Sequence, residues 1–593
     1  GPDQASRVSF NTTAGGALIL RAKCDAVPDG YVTEDVQSVL DAQPSATVYV
    51  GVEEGETFSY DAVLGTALTG YLGSWGAGML QYTAAATDGN VLRFKARTNI
   101  VVTAGADAET RVSAPGNLKV VGGRVTLADA GTFAVARGNG DIATYGSTEP
   151  YPELIVTGRT TFVEGLNAKG ERSATRLNVA VGSACGRVEI CAGAVMTNEF
   201  FSSSGNGNAA LVTGEVIQRE GANVTHTQSG NDGYWGQQNS SFCYTLEGGT
   251  LAVDKYMHLA NASKTRSMSM IRIAGGLLKR TGVGDLQLGW GRGTGVVYQT
   301  GGTYNQTGSG NLRFNSNNWS WNSANGGFAL WVSEGTNSLA ELPYIAIMGE
   351  NTNSVSHLAI NDGATFFAPA VERQTTQPND KFGPDQMVGN LCYVHFNGGI
   401  LKKYWNTNKP DILGTNGVDQ ATGVNYSTAP DKVVVYEGGA TIDVPAGTAN
   451  LSTTLEEPQG LGVKAIVLPD DADREGWYGG IHVAIYGEGV GATAVAQYDS
   501  VNHRLTGVKV TSPGWGYREG TTRAVVSMGG KTGEIECAVT LGESRGGGFT
   551  KAGPGVLYNA AFAFPEGATL TVENFTPPAA NSAVAAVLPV SGS

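Results

Sequence analysis

The sequence predicts an all-β chain, a right-handed parallel β-helix (solenoid), and three observations carry that expectation. The first is a recurring glycine corner. A small pair ahead of a β-type residue recurs as AGAV at Gly193, EGANV at Gly221, EGGTL at Gly249, AGGLL at Gly276, TGGTY at Gly302 and NGGFAL at Gly327, 25 to 28 residues apart. The second is alternation. CYTLEGGTLAV, SMIRIAGGLL, GVVYQTGGTY, YVHFNGGILKKY and VVVYEGGATIDV set apolar or aromatic residues two apart, the period of a strand. The third is composition: 85 of 593 residues are glycine, only 16% are charged, and 41% are hydrophobic. Such a chain is glycine-rich yet too apolar for disorder. A repeat architecture takes up its length as added rungs instead of added globular domains.

Residues 1–60 read as an N-terminal cap with the first strands. In VTEDVQSVLDAQPSATVYVG, Thr33 is placed to N-cap a short helix, and Val36, Val39 and Leu40 share one face. Such a capping helix would shield the open strand edges of the first coil. Residues 61–463 form the solenoid. Its glycine series extends upstream to Gly123 and Gly158 and downstream to Gly363, Gly399 and Gly439, at looser intervals of 35 to 40 residues. A coil of this length holds three short strands, and some fifteen coils rising ~4.8 Å each make a rod of roughly 70 Å. Residues 464–543 interrupt it as a small inserted β module near the C-terminus. There, TAVAQY and LTGVKVT flank a polar turn at Asp499–His503 and read as a hairpin. The module is either a decoration that contacts a partner or a spacer. Residues 544–593 return to terminal solenoid coils and a tail.

A net charge of −14 disfavours nucleic acid and anionic membrane surfaces as partners. No apolar run reaches transmembrane length, so no membrane insertion is expected, and the opening GPDQASRV shows no charged-then-apolar leader. Six cysteines are scattered without any Cys-x-x-Cys, which fits neither a disulfide scaffold nor a zinc module. A Cys185–Cys191 bridge stays open on spacing alone.

Two stretches share a frame: GGLLKRTGVGDL at 275–286 and GGGFTKAGPGVL at 546–557. In the second, Phe549, Thr550, Lys551, Gly553, Gly555 and Leu557 resemble the repeat opening of the autotransporter-associated β-strand repeat proteins, large surface or secreted chains of Gram-negative bacteria. The resemblance covers about residues 180–460 and 546–576. It implies a β-solenoid that is secreted or held at the bacterial cell surface and serves display or adhesion. The membrane β-barrel that ends such chains is not read in residues 544–593. The capping segment loosely resembles the cap of pectate-lyase-type β-helices.

Short motifs that imitate catalytic sites fail on context. Gly-Gly-Lys-Thr at 529–532 ends like a phosphate loop, but Val525 stands where the motif needs glycine, and EIECAVTL after it alternates as a strand. Gly-Glu-Ser-Arg-Gly at 542–546 has the nucleophile-elbow pattern around Ser544, yet GGFTKAGPG cannot be the helix that must follow. The six histidines show no metal-ligand spacing, so neither metal nor cofactor is expected. His226 and His258 read as exposed strand residues.

Catalytic residues stay unassigned. Asp232, Asp254, Asp285, Asp362 and Glu334, with Lys255, Lys279 and Arg292 as basic partners, are the charged candidates on the coils. A glycosidase needs two flanking carboxyls and a polysaccharide lyase needs a base beside a cation; no pairing is selected by spacing. The aromatic pattern says more. Trp235, Trp290, Trp319 and Trp321 are expected in polar, Gly/Asn-rich turns of successive coils, beside Gln237, Asn315 and Asn318. Flat apolar rings among planar amides suit a sugar, and the same rings could equally stack to stabilise the coils. The expected function is a display or adhesion rod that binds a polysaccharide or glycan along its side. The alternative is a polysaccharide-degrading hydrolase or lyase on the same scaffold. The oligomeric state is left open.

Overall fold

A computed structural model describes the strands between residues 17 and 141 and, beyond them, residues 153–164, 176–182, 185–205, 212–227, 233–237, 239–262, 267–316, 326–351, 353–374, 390–404, 409–418, 425–528, 533–558, 562–563 and 569–572. The described residues are all-β, and the coils are those of a parallel β-helix. The capping helix expected at 33–40 lies outside them.

The chain divides into two compact units, 1–284 with 476–481 and 528–532, and the remainder of 285–593. In the first unit a complete coil has three strands: Val212–Gln218 in a long sheet, Asn223–His226 in a second sheet and Tyr234–Gln237 in a third. The next coil repeats them as Ser240–Leu246, Thr250–Val253 and Met257–Ala262, all in parallel register with the coil before. The second unit coils in the same way, with Thr294–Gln299, Thr303–Gln306 and Leu312–Ser316 followed by Phe328–Glu334, Leu339–Glu341 and Ala346–Met348.

The corner between the long and second sheets is where glycine is needed. Gly193, Gly221, Gly249, Gly276, Gly302, Gly363 and Gly439 all have φ between +66° and +81° there, a region that residues with a Cβ reach only at a cost. At Gly249 a Cβ would also lie 1.8 Å from the Ala222 carbonyl oxygen of the preceding coil. Gly399 yields this role to Gly398, whose φ is +87°.

Two corners were expected in the wrong place. Gly327 precedes Phe328–Glu334, a strand of the long sheet, so it opens a coil instead of turning into the second sheet. The true corner is GTNS at 335–338, because Leu339 pairs with Thr303, a step of 36 residues. The strand after Gly123, Arg124–Ala128, likewise belongs to the long sheet.

Strand alternation is strict in the second sheet, where Leu277–Arg280 and Thr303–Gln306 bury every other side chain. It vanishes in the long sheet, where Val212–Gln218 and Ser240–Leu246 are buried throughout. Their outward face is covered. In the first unit Gly479 N donates to Glu215 Oε1 at 3.0 Å, and a Cβ on Gly480 would lie 3.0 Å from Ser241 Cβ. These covering residues come from the insertion, whose strands run from Leu461–Val467 to Ile535–Glu543 and pair antiparallel. Val490–Asp499 and Arg504–Trp515 form the expected hairpin. The Asp499 carboxylate accepts the Val501 and Asn502 N–H groups in its turn.

Inside the coils aromatic rings cluster. In the first unit Trp235 packs on His226 (5.5 Å between centroids), Phe242 (5.8 Å) and Tyr244 (5.3 Å). In the second, Trp331 packs between Tyr304 (5.2 Å) and Phe366 (5.9 Å).

Candidate functional site

The residues expected to bind sugar do not form one patch. Trp235 is 0% exposed and belongs to the interior cluster, so no ligand reaches it. It is a strand residue, not a turn residue: Tyr234–Gln237 pairs Trp235 with Leu259, which also points inward. Asn315 is buried as well. It has φ +54° and donates to the Val355 carbonyl at 2.8 Å and to Ser356 Oγ at 2.9 Å, a structural clamp between coils. Gln237 and Trp290 are half-buried. Asn318, Trp319 and Trp321 lie outside the described residues, as do Asp232 and Gly529–Thr532.

His226 and His258 are interior residues, not exposed ones. His226 is 0% exposed, and its Nδ1 is 2.9 Å from Asn198 Oδ1; burial lowers its pKa to about 3, so the ring is neutral. His258 is 6% exposed and stacks between Tyr234 at 4.9 Å and Tyr256 at 5.8 Å. Both tyrosines are half-buried.

The carboxylate candidates are also dispersed. Glu334 is 5% exposed, accepting from Tyr298 Oη at 2.5 Å and pairing with Lys509 Nζ at 2.7 Å. Asp285 is held by Arg313 Nε at 2.6 Å, and the same guanidinium contacts Glu350. Burial pushes the Glu350 carboxyl up to about 7 against the pull of Arg313. Asp362 and Arg292 are exposed, while Asp254, Lys255 and Lys279 are half-buried. Ser544 is buried and donates through Oγ to the Gly514 carbonyl at 3.0 Å; the strand Phe549–Ala552 follows it, not a helix. Among the described residues no group of three His, Cys, Asp or Glu could hold a metal ion. No disulfide joins Cys185 to Cys191.

The feature that sequence reasoning missed is an open cleft in the second unit, about 320 Å³ in volume. It forms where the chain passes from the short strand Asn425–Ser427, which pairs antiparallel with Asn416–Val418, into the strand Lys432–Val435. Arg373, Asp431, Lys432 and Glu456 line it together with Ser427, Ser452, Thr453 and Thr454 and the apolar Ala429, Pro430 and Val433. One half is rigid. Arg373 Nη1 meets Asp431 Oδ1 at 2.6 Å, Arg373 Nη2 donates to Asn390 Oδ1 at 2.6 Å, and Asp431 Oδ2 accepts the Cys392 N–H at 2.8 Å. The other half is adjustable: Lys432 and Glu456 pair at 2.5 Å, with side chains 43% and 33% exposed. Bonds inward fix the floor, since Thr453 Oγ1 donates to the Leu413 carbonyl at 2.8 Å. The only sequence signal was a run of charge, Asp431–Lys432, at the start of VVVY, and no motif marks it.

No family model, no curated protein and no solved structure matches this chain.

Proposed function

We propose that the chain is a β-solenoid for display or adhesion, secreted or held at the cell surface, and that its cleft at Arg373, Asp431, Lys432 and Glu456 binds a carbohydrate. The observation that supports this is the cleft's lining: hydroxyls, two cations and two carboxylates, with little apolar surface. A sugar presents hydroxyls that both donate and accept, and such a wall answers both. Its volume falls at the small end of ligand sites, of order 300–1,000 Å³, which suits one or two sugar residues. The secreted or surface location rests on the likeness of the repeats alone.

Binding without turnover is favoured because each carboxylate of the cleft is engaged by a cation, Asp431 by Arg373 and Glu456 by Lys432. A general acid needs a carboxyl that carries a proton at the reacting bond. The presence of two carboxylates in one cleft supports the second reading, a polysaccharide hydrolase. A glycan array followed by a reducing-end assay separates the two. Retention of a glycan without new reducing ends supports the binding reading, and new reducing ends overturn it. Lys432→Ala/Glu456→Ala removes the adjustable pair and is expected to weaken glycan binding about tenfold or more, with the fold unchanged by circular dichroism. Undiminished binding by that variant would remove the cleft from the account.

A further inference from the structure

The strand Arg504–Trp515 of the insertion crosses the outward face of the second unit's long sheet, touching one rung after another. Lys509 Nζ meets Glu334 at 2.7 Å on one rung, and Asn361 Nδ2 on the next donates to the Thr511 carbonyl at 2.7 Å. Trp515 then meets Tyr393 edge-on at 5.8 Å, and Ser512 and Gly514 lie at the Tyr436 hydroxyl.

Beneath this strap lies a chain of ring nitrogens. His357 Nδ1 is 3.0 Å from His395 Nε2, and His395 Nδ1 is 3.2 Å from the Tyr436 hydroxyl. The two imidazoles stack at 5.2 Å and 19°, and both are buried, at 3% and 0% exposure. Phe328 and Tyr393 flank His357 at 5.4 and 5.3 Å. From the strap's side the titratable neighbours are Lys509, which is paired with Glu334, and Tyr517. His482 of the insertion packs edge-on to Phe328 at 6.3 Å. From the sheet's side they are Glu334, Tyr298, Tyr393 and Tyr436, with Asp431 acting on Tyr393 from beyond. Among the described residues, His357 and His395 hydrogen-bond each other and the Tyr436 hydroxyl, and none of these partners is a carboxylate.

We propose that this layer is an acid-released latch, in which protonation of His357 and His395 lifts the strap Arg504–Trp515 from the long sheet.

A single proton already serves the His357–His395 contact. A charge on either ring must be carried in a buried layer with no anion against it. Charging both sets two N–H donors face to face at 3.0 Å. Burial lowers His357 to about 3, and burial together with His357 holds His395 well below the ordinary value of 6.5. The sign follows. These are bases whose pKa is depressed while the strap is docked, so the docked state binds fewer protons than the released one. Docking is fully favoured above about 6.5 and is lost as pH falls from there toward 3. Each pH unit below 6.5 favours release by up to about tenfold per imidazole, or about 100-fold for one ring at pH 4.5.

Hydrogen exchange of the full chain, corrected for intrinsic rates, tests this at pH 7.5 and 4.5. Residues 504–515 are expected to lose about 100-fold or more in protection at pH 4.5, while the interior strand Thr250–Val253 keeps its own. His357→Gln/His395→Gln is expected to hold 504–515 equally protected at both values. If that variant does not dock at pH 7.5, the unsubstituted chain decides by slope. A log-protection of 504–515 that falls with pH between 6.5 and 4.5, and still falls in Lys509→Met, supports the latch. A flat profile overturns it, and so does an acid response that disappears in Lys509→Met, since the cause would then be the Glu334 pair.

Discussion

Gln218 and Gln299 hold the same station in two coils, at the last position of a long-sheet strand before the glycine corner. Gln218 Nε2 donates to the Ala222 carbonyl at 2.7 Å and to the Thr250 carbonyl at 3.0 Å, while its Oε1 accepts from Tyr244 Oη at 2.6 Å. Gln299 repeats the pattern, donating to Gly302 and Leu339 carbonyls at 2.9 and 3.0 Å and accepting from Ser333 Oγ at 2.9 Å. Each amide thus closes its own corner and ties it to the next coil. Gln218→Ala leaves two buried carbonyls and a phenol short of a partner, so a loss of about 1–3 kcal/mol is expected in urea unfolding. Gly249→Ala is expected to lower the urea midpoint by at least as much, because it combines a φ of +70° with the Ala222 oxygen in the path of the methyl. A midpoint within error of the parent chain would show that the corner relaxes. Trp235→Ala belongs here too: it opens a cavity in the ring cluster and should cost about 3–5 kcal/mol in stability while leaving glycan binding untouched.

At the scale of the strand, what the sequence disclosed depends on which faces are covered. Second-sheet strands such as Leu277–Arg280 have one wet face, so their alternation is plain in the letters. Long-sheet strands are buried on both faces, and VTGEVIQ and SSFCYTL carry no period that separates inside from outside. The glycine corners were legible because a positive φ has few tolerant residues. Gly327 misled because NGGFAL has the same letters and opens a strand of a different sheet. The inward setting of Trp235 was illegible for a related reason. Strand period two sends Trp235 inward and its neighbour Tyr234 outward, and composition cannot say which. The cleft was illegible for another reason: Arg373, Asn390, Asp431 and Glu456 come from four separate segments that only the coiling brings together.

For the whole molecule, neighbour-to-neighbour stacking means that each coil is stabilised chiefly by the coils beside it. The insertion departs from that logic. It leaves the solenoid after Leu455–Glu456 and returns at Phe549–Ala552, yet it lies back over the long sheet within each unit. In the second unit it covers Leu330, Val332, Val434 and Tyr393, all at most 6% exposed. Replacing 461–543 with a short Gly/Ser linker is expected to retain the far-ultraviolet β signal, lower the thermal midpoint, and bind a hydrophobic dye. A variant with unchanged midpoint and no dye binding would show that the covered face needs no cover.

The two ends of the insertion are joined where they meet the solenoid: Ser544 N donates to the Gly460 carbonyl at 2.9 Å, and Tyr436 bridges to Gly546. A detour of some eighty residues therefore enters and leaves through one doorway, and the coils on either side keep the register they would have without it. A doorway of this kind lets the detour change in length without shifting the strand Phe549–Ala552 from its place beside Ala440–Asp443. The fold separates the part that must repeat from the part that is free to differ.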